Sequence, residues 1–308
     1  MSSDVKNTVK CLIDRSAELG LQIRTYKNIT IIDAGVNTEP APEVGLKLIE
    51  IATGGYAKVN IITKDIDSNF NVNILRINVT KPITACMCYQ MASWIVKKEY
   101  ATMYISGPGK TIVKKPRKLI EKFCKECELE PIFLIETDVI PREDFLEELH
   151  LQCRDFDNVI VLLTSPRSYV GQLQICGRVV EVALFSLYAR KVELSDTMVI
   201  SCYGEVLIPP KKVEDPLTAV AICNDFILLT GSVTMNIDKD ELSIPSDTVY
   251  MEGDKLFTEV LHRYGIDFLS KIDEKMFKVA QIIVKCRHKT YTIGKLWYDK
   301  AIKIISRV

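Results

Sequence analysis

The chain has 308 residues, enough for a sizeable core and for two domains. Lys and Arg (40) balance Asp and Glu (40), the hydrophobic share is 47% and the charged share 26%. That is an ordinary globular composition, and it leaves no global field to gather nucleic acid or an anionic membrane.

The N-terminal stretch MSSDVKNTVKCLIDRSAELG carries acids and no apolar run of signal-peptide length. No segment approaches the roughly 18 uncharged apolar residues of a membrane span. Next, NITIIDAGV (28–36) reads as a strand ending in Gly, and EVGLKLIEIATGG (43–55) as a short helix stopped by Gly54-Gly55. AKVNIIT and FNVNILRINVT alternate in part and predict two more strands. From Pro82 to Lys98 a helix is predicted, with Pro in its first turn and Trp94 in its latter part. YATMYIS (100–106) is a strand running into Gly107-Pro108-Gly109, and a basic run follows over 110–122, read as a solvated helix start.

The second half repeats the rhythm. PIFLIET (131–137) is a strand, PREDFLEELHLQC (141–153) a helix, NVIVLLT (158–164) a strand, and SYVGQLQICGRVVEVALF (168–185) a greasy helix. TMVISCYG (197–204) and NDFILLTGSVTMNI (224–237) read as strands, KLFTEVLHRYG as a helix, and AQIIVKCR and TYTIG as closing strands. VTKP (79–82), helix, TMYIS (102–106) parallels LTSP (163–166), helix, TMVIS (197–201), which predicts a strand–helix–strand unit used twice. The expected fold is α/β (or α+β) and two-lobed with a cleft between the lobes, the first lobe over 1–115 and the second over 116–308. That boundary is loose, and the C-terminal strands are allowed to return to the first lobe.

Several motifs fail. SGPGKT (106–111) resembles a phosphate loop, but the position six before Lys110 is Tyr104 rather than Gly. There is no G-x-G-x-x-G and no nucleophile elbow, and the three His lie near no Ser or Cys in a recognisable setting. Ten Cys without an export signal predict reduced thiols and a cytoplasmic location. CMC (86–88) and CKEC (124–127) lack companions at finger-like spacing, and IEKFCKECELE reads as helical, so buried or half-buried thiols are expected and no metal.

One feature carries chemistry. On a continuous helix over 168–185, Gln174, Arg178 and Glu181 fall within about 60° of one another at about 100° per residue, with Arg167 and Gly171 on the same side. A narrow polar seam among Leu, Ile, Val and Phe is costly unless it meets water, a partner or a ligand. Arg178 and Glu181 have the spacing of a structural ion pair, and equally of a carboxylate base beside a guanidinium oxyanion donor. The second arrangement suits hydrolysis of a cationic, amidine-like carbon, which requires neither metal nor covalent intermediate.

The helix and its flanks resemble the archaeal methenyltetrahydromethanopterin cyclohydrolase family. That family's Gly…Gln…Arg-Val-Val-Glu pattern is matched by Gly171, Gln174, Arg178, Val179, Val180 and Glu181. TIIDAGV, GLKLIEIATGGYA, SGPGK, TSPRS and NDFILLTG match further family segments in the same order along nearly the whole chain. The resemblance implies hydrolysis of the methenyl bridge of a pterin one-carbon carrier to its formyl form, with the pterin between the lobes of a cytoplasmic homotrimer. The carrier is then the substrate, and no separate cofactor is implied. It also implies that Glu181 acts on water and that Arg178 tunes it and meets the formyl oxygen, while Gln174 orients the ring. Asn224 and Asp225 would contact the pterin. Gly54, Gly55, Ser106, Gly107, Lys110, Thr164 and Ser168 would line the substrate site.

The departures are specific. Ala221, Ile222 and Cys223 stand where the family usually has Gly-Arg-Thr, and Ser-Gly-Pro-Gly-Lys replaces Ser-Gly-Pro-Ala-Arg. Arg167, unusual in its loop, is positioned to replace the cation missing at 222. Two other readings stay open: a non-catalytic or repurposed paralogue binding a pterin, folate or phosphorylated metabolite, and a structural subunit whose seam pairs with another chain.

Overall fold

A computed structural model describes residues 2–67, 70–125 and 127–306. The chain opens with α1 (Ser2–Asp14), the hairpin β1 (Gln22–Tyr26) and β2 (Ile29–Asp33), and α2 (Pro42–Ala52). The long strands β3 (Ala57–Asp67) and β4 (Phe70–Thr80) precede a π-helix over Ile83–Gln90. Then come β5 (Trp94–Lys98), β6 (Ala101–Ser106), α3 (Lys110–Val113), α4 (Arg117–Phe123), β7 (Ile132–Glu136), α5 (Glu143–Gln152) and β8 (Val159–Thr164). The remainder comprises α6 (Tyr169–Cys176), α7 (Val179–Ala189), β9 (Val199–Leu207), α8 (Pro216–Thr230), β10 (Ser232–Ile237), α9 (Phe257–Tyr264), β11 (Gln281–Lys285), β12 (Thr290–Gly294) and α10 (Tyr298–Ile305).

Two compact units divide this chain, and neither is contiguous. The first is Met1–Ala57 with Thr84–Gln174, and the second is Lys58–Ile83 with Ile175–Val308. These bounds differ from a single cut after residue 115. The missing information was long-range pairing: β4 and β9 are joined by an antiparallel ladder from Ile74↔Leu207 to Thr80↔Ser201. β11 and β12 stay with that second sheet rather than returning to the first unit.

The first unit is a mixed six-stranded sheet in the order β1-β2-β8-β7-β6-β5, with β2, β8 and β7 parallel. Alternation along these strands sends residues to two separate cores. Ile32, Leu134 and Leu162 pack with Val5, Val9 and Leu12 of α1 and Val44, Leu48 and Ile51 of α2. Ile31, Phe133 and Val161 face the other way, onto Phe145, Leu146 and Leu149 of α5. Helices thus cover both faces, the usual setting for parallel strands.

The second unit holds the sheet β12-β11-β10-β9-β4-β3, antiparallel except for β10 with β11. Gly204 in β9 lets α7 approach closely: a Cβ there would lie 2.8 Å from Val180 and 2.9 Å from Val179 and Ile77.

Three expected elements differ. The helix expected over 82–98 ends at Gln90, and Trp94–Lys98 is a strand paired antiparallel with β6, as its Ile95-Val96 content favours. The expected strand over 224–237 is half helix. Asp215 caps α8 by accepting from Thr218 N at 2.8 Å, Pro216 follows at its first turn, and burial nearly all round gives its apolar run no strand-like alternation. The greasy helix over 168–185 is two helices, α6 and α7, interrupted at Gly177-Arg178. The two parallel strand–helix–strand segments are likewise not units within one sheet. The first leads from β4 of one sheet to β6 of the other, and the second leads from β8 to β9 in the opposite sense.

Candidate functional site

Interruption of the helix breaks the continuous polar seam, so each of its members is placed by its own surroundings. Gln174, on α6, is buried and its Nε2 donates to Glu136 Oε2 at 2.9 Å. Glu136 is the last residue of β7 and stands opposite Tyr104 in the ladder with β6. Burial, and secondarily the Glu136 charge, raise the Tyr104 hydroxyl above its ordinary pKa.

Glu136 belongs to a cluster at the carboxyl ends of the parallel strands, where open α/β sheets commonly take ligands. Register brings Glu136 beside Thr164, and Asp33 beside Leu163. The buried Asp33 carboxylate accepts from the backbone N–H groups of Gly35 (3.1 Å), Val36 (2.8 Å) and Asn37 (3.0 Å), fixing the turn after β2. Ser168 Oγ donates to Ser165 O at 2.9 Å and accepts from Gly171 N at 3.0 Å, capping the start of α6. Two glycines permit this packing. A Cβ on Gly35, whose φ is +121°, would lie 2.3 Å from Ser168 Oγ, and one on Gly171 would lie 2.0 Å from Ser165 O. Thr164 Oγ1 is buried with no hydrogen-bond partner in this structure, an uncommon state for a buried hydroxyl.

Arg178 and Glu181 open α7 in the second unit. Arg178 Nε donates to Glu181 Oε2 at 2.6 Å, with side-chain exposures of 20% and 7%. Glu181 lies in the first turn of its helix, where the backbone dipole favours an anion. Its neighbours Val179, Val180, Val182, Ala183 and Leu184 are all buried. The result is a carboxylate in apolar surroundings, paired to a guanidinium that keeps part of its side chain open.

Other residues expected at the substrate site have protein partners. Asp225 is fully buried on α8 and serves α9 instead. Its carboxylate accepts from Phe257 N (2.6 Å), Thr258 N (3.1 Å) and Thr258 Oγ1 (2.6 Å). Burial outweighs these three donors and lifts its pKa to about 7. Asn224 Nδ2 donates one turn back to Val220 O at 2.8 Å. Ile222, where the family usually carries Arg, is 3% exposed and packs in the interior. Lys110 is 1% exposed and donates to the Met91 carbonyl. Arg167 is well exposed but lies 3.6 Å from Asp138, to which Ser165 Oγ also donates at 2.6 Å.

Ser106 is buried and its Oγ donates to Leu134 O at 3.3 Å. Gly107 adopts φ +99°, and a Cβ there would meet Ile132 O at 2.7 Å. Gly54 and Gly55 both have positive φ and close α2 as the sequence indicates. Glu136, Asp138 and Asp33 were not singled out from sequence. Their signal was an acid at or just beyond the end of an apolar strand, in PIFLIET and TIID.

Comparison with known proteins bears on the whole chain. The family described as Cyclohydrolase (MCH) matches residues 1–302. The chain belongs to the MCH cyclohydrolase family. It is similar to a protein of Methanobrevibacter smithii named methenyltetrahydromethanopterin cyclohydrolase, at 29% identity over 98% of this chain and 95% of that one. A protein of the same name from Methanocella arvoryzae is 27% identical over 94% and 93%. Another from Methanocaldococcus jannaschii is 28% identical over 94% and 92%. The family match thus covers both units. Among the described residues, no single helix is long and apolar enough to cross a membrane.

Proposed function

We propose that this chain hydrolyses the methenyl bridge of a tetrahydromethanopterin-type one-carbon carrier to the formyl form. The reading rests chiefly on the Arg178–Glu181 pair, held at 2.6 Å at the head of α7 within a chain whose relatives carry that activity in their names over nearly their full length. In the forward direction, water adds to the cationic amidine-like carbon and gives up a proton to Glu181. The C–N bond then opens, the remaining hydroxyl proton passes to the departing nitrogen, and the oxygen from water becomes the formyl oxygen. Overall the methenyl cation and one water give the formyl carrier and one proton, with no change of oxidation state. Arg178 serves twice: its hydrogen bond holds the Glu181 carboxylate in place, and its guanidinium offers donors to the oxygen as negative charge builds on it. Gln174, oriented by Glu136, is assigned to the ring of the carrier, as are Thr164 and Ser168 at the strand ends. A cytoplasmic homotrimer is the assembly expected from the family.

Loss of the methenyl absorbance on adding enzyme is the test, run with the methenyl forms of tetrahydromethanopterin and of tetrahydrofolate. Glu181→Gln is expected to lower kcat by about 10²- to 10⁴-fold, the range for removal of a general base. Turnover no faster than buffer, with wild type and Glu181→Gln alike, would overturn the reading. The family-pattern departures at Ile222 and Gly109-Lys110 favour one alternative, a non-catalytic or repurposed paralogue binding a pterin, folate or phosphorylated metabolite, and calorimetry showing binding without turnover would establish it.

A further inference from the structure

The first unit contains a sulfur cluster that plays no part in the chemistry above. Cys88 lies in the π-helix Ile83–Gln90, and Cys124 and Cys127 lie just beyond α4. The helix expected through CKEC stops earlier: α4 ends at Phe123, with Cys124 as its C-cap, and Glu126 lies outside the described residues. The three Sγ atoms lie within 4.8 Å of one another, Cys88 buried and the other two half-buried. Cys88 and Cys124 are joined as a disulfide, and Cys127 Sγ sits 3.6 Å from Cys88 Sγ.

We propose that, once reduced, Cys88, Cys124 and Cys127 bind one zinc ion through three thiolates. Geometry is the first support. At a Zn–S distance of about 2.3 Å, two sulfurs of a tetrahedral site stand about 3.8 Å apart, close to the 3.6 Å between Cys88 and Cys127. Ligand chemistry is the second, since three thiolates and no hard oxygen donor in the set select zinc over magnesium or calcium. The third support is Tyr89, beside Cys88 in sequence, whose hydroxyl hydrogen-bonds the Cys127 side chain and can donate to its thiolate. Tyr89 is itself buried and stacked on Tyr56 at 6.3 Å, so this donor is held in place.

The chemistry balances in two steps. A dithiol reductant gives two electrons and two protons to the Cys88–Cys124 bond and becomes a disulfide. The three thiols then release three protons as they take up one Zn²⁺. Bound metal would tie the π-helix to the segment after α4, the same connection that the disulfide makes in the oxidised chain.

The test uses the full chain, reduced and stripped with chelator, then titrated with zinc against a chromophoric competitor. One zinc per chain is expected. Cys127→Ser should weaken binding by at least about 100-fold, the upper end of the loss seen when only an outer-sphere group is removed. Cys11→Ser, which alters an exposed thiol outside the cluster, should change nothing. Alkylation mapped by mass spectrometry on wild type needs no variant to fold. Zinc should shield Cys88, Cys124 and Cys127 while leaving Cys11 reactive. The proposal is overturned if reduced wild type retains no zinc, if the triple Ser variant retains as much, or if zinc leaves the three thiols as reactive as Cys11. None of these readouts depends on cyclohydrolase activity.

Discussion

Asp225 offers a quantitative test of its role in holding α9. Its carboxylate is buried on α8, with three donors from residues 257 and 258, and desolvation still raises its pKa from 3.8 to about 7. Between those two values the folded protein keeps a proton that the unfolded chain has already released, so stability falls as pH rises. The contribution is fully present below about pH 3.8 and is lost as pH passes through about 7. At about 1.4 kcal/mol per unit, the loss totals about 4 kcal/mol. Asp225→Asn cannot titrate and leaves the other ionisable groups in place. The difference in unfolding free energy between wild type and Asp225→Asn, from urea titrations across this range, should therefore shrink or change sign by about 4 kcal/mol as pH rises. A flat difference would show that the three donors cancel burial, one running the other way that they outweigh it, and either would refute the argument. Among folded molecules KM for the carrier should be unchanged, because the carboxylate is committed to α9. A large rise in KM would restore Asp225 to the substrate site.

Other expectations follow from close contacts. Gly171→Ala puts a methyl group 2.0 Å from the Ser165 carbonyl, a backbone atom with little room to yield. Thermal unfolding should report a loss of about 1–3 kcal/mol, as for overpacked cores. Lys110→Met leaves the Met91 carbonyl without that donor at a site 1% exposed, costing about 1–3 kcal/mol in denaturant titrations, with KM unaltered. Arg178→Lys keeps the charge but loses the planar fork, and is expected to lower kcat by more than tenfold.

Much of the fold was legible because its signals are local. The strand at 132–136 shows as a short apolar run between turn signals, α2 stops at paired Gly, and α5 shows its apolar face at Phe145, Leu146 and Leu149. The errors came where tertiary burial removes periodicity. α8 is apolar all round, so its 224–230 portion resembles a buried strand, and only Asp215-Pro216 marks its start. The Arg178–Glu181 pair was legible from spacing, since three residues span nearly a helical turn. Glu136 as the partner of Gln174 was not, because the contact spans 38 residues and depends on β7 lying beside β8. The three sulfurs escaped for the same reason: CMC and CKEC gain companions only when the chain folds back on itself.

The split course of the chain has a consequence for biosynthesis. Arg76 of β4 and Glu205 of β9 meet across the ladder at 2.8 Å, yet 129 residues separate them. On the ribosome, the β3–β4 hairpin must therefore emerge and wait, its long β4 edge unpaired, while the Thr84–Gln174 part of the first unit is translated. Such an edge invites pairing with another nascent chain. Truncated or slowly translated products should therefore aggregate through this hairpin, and neither unit can be made alone from one uninterrupted stretch of message.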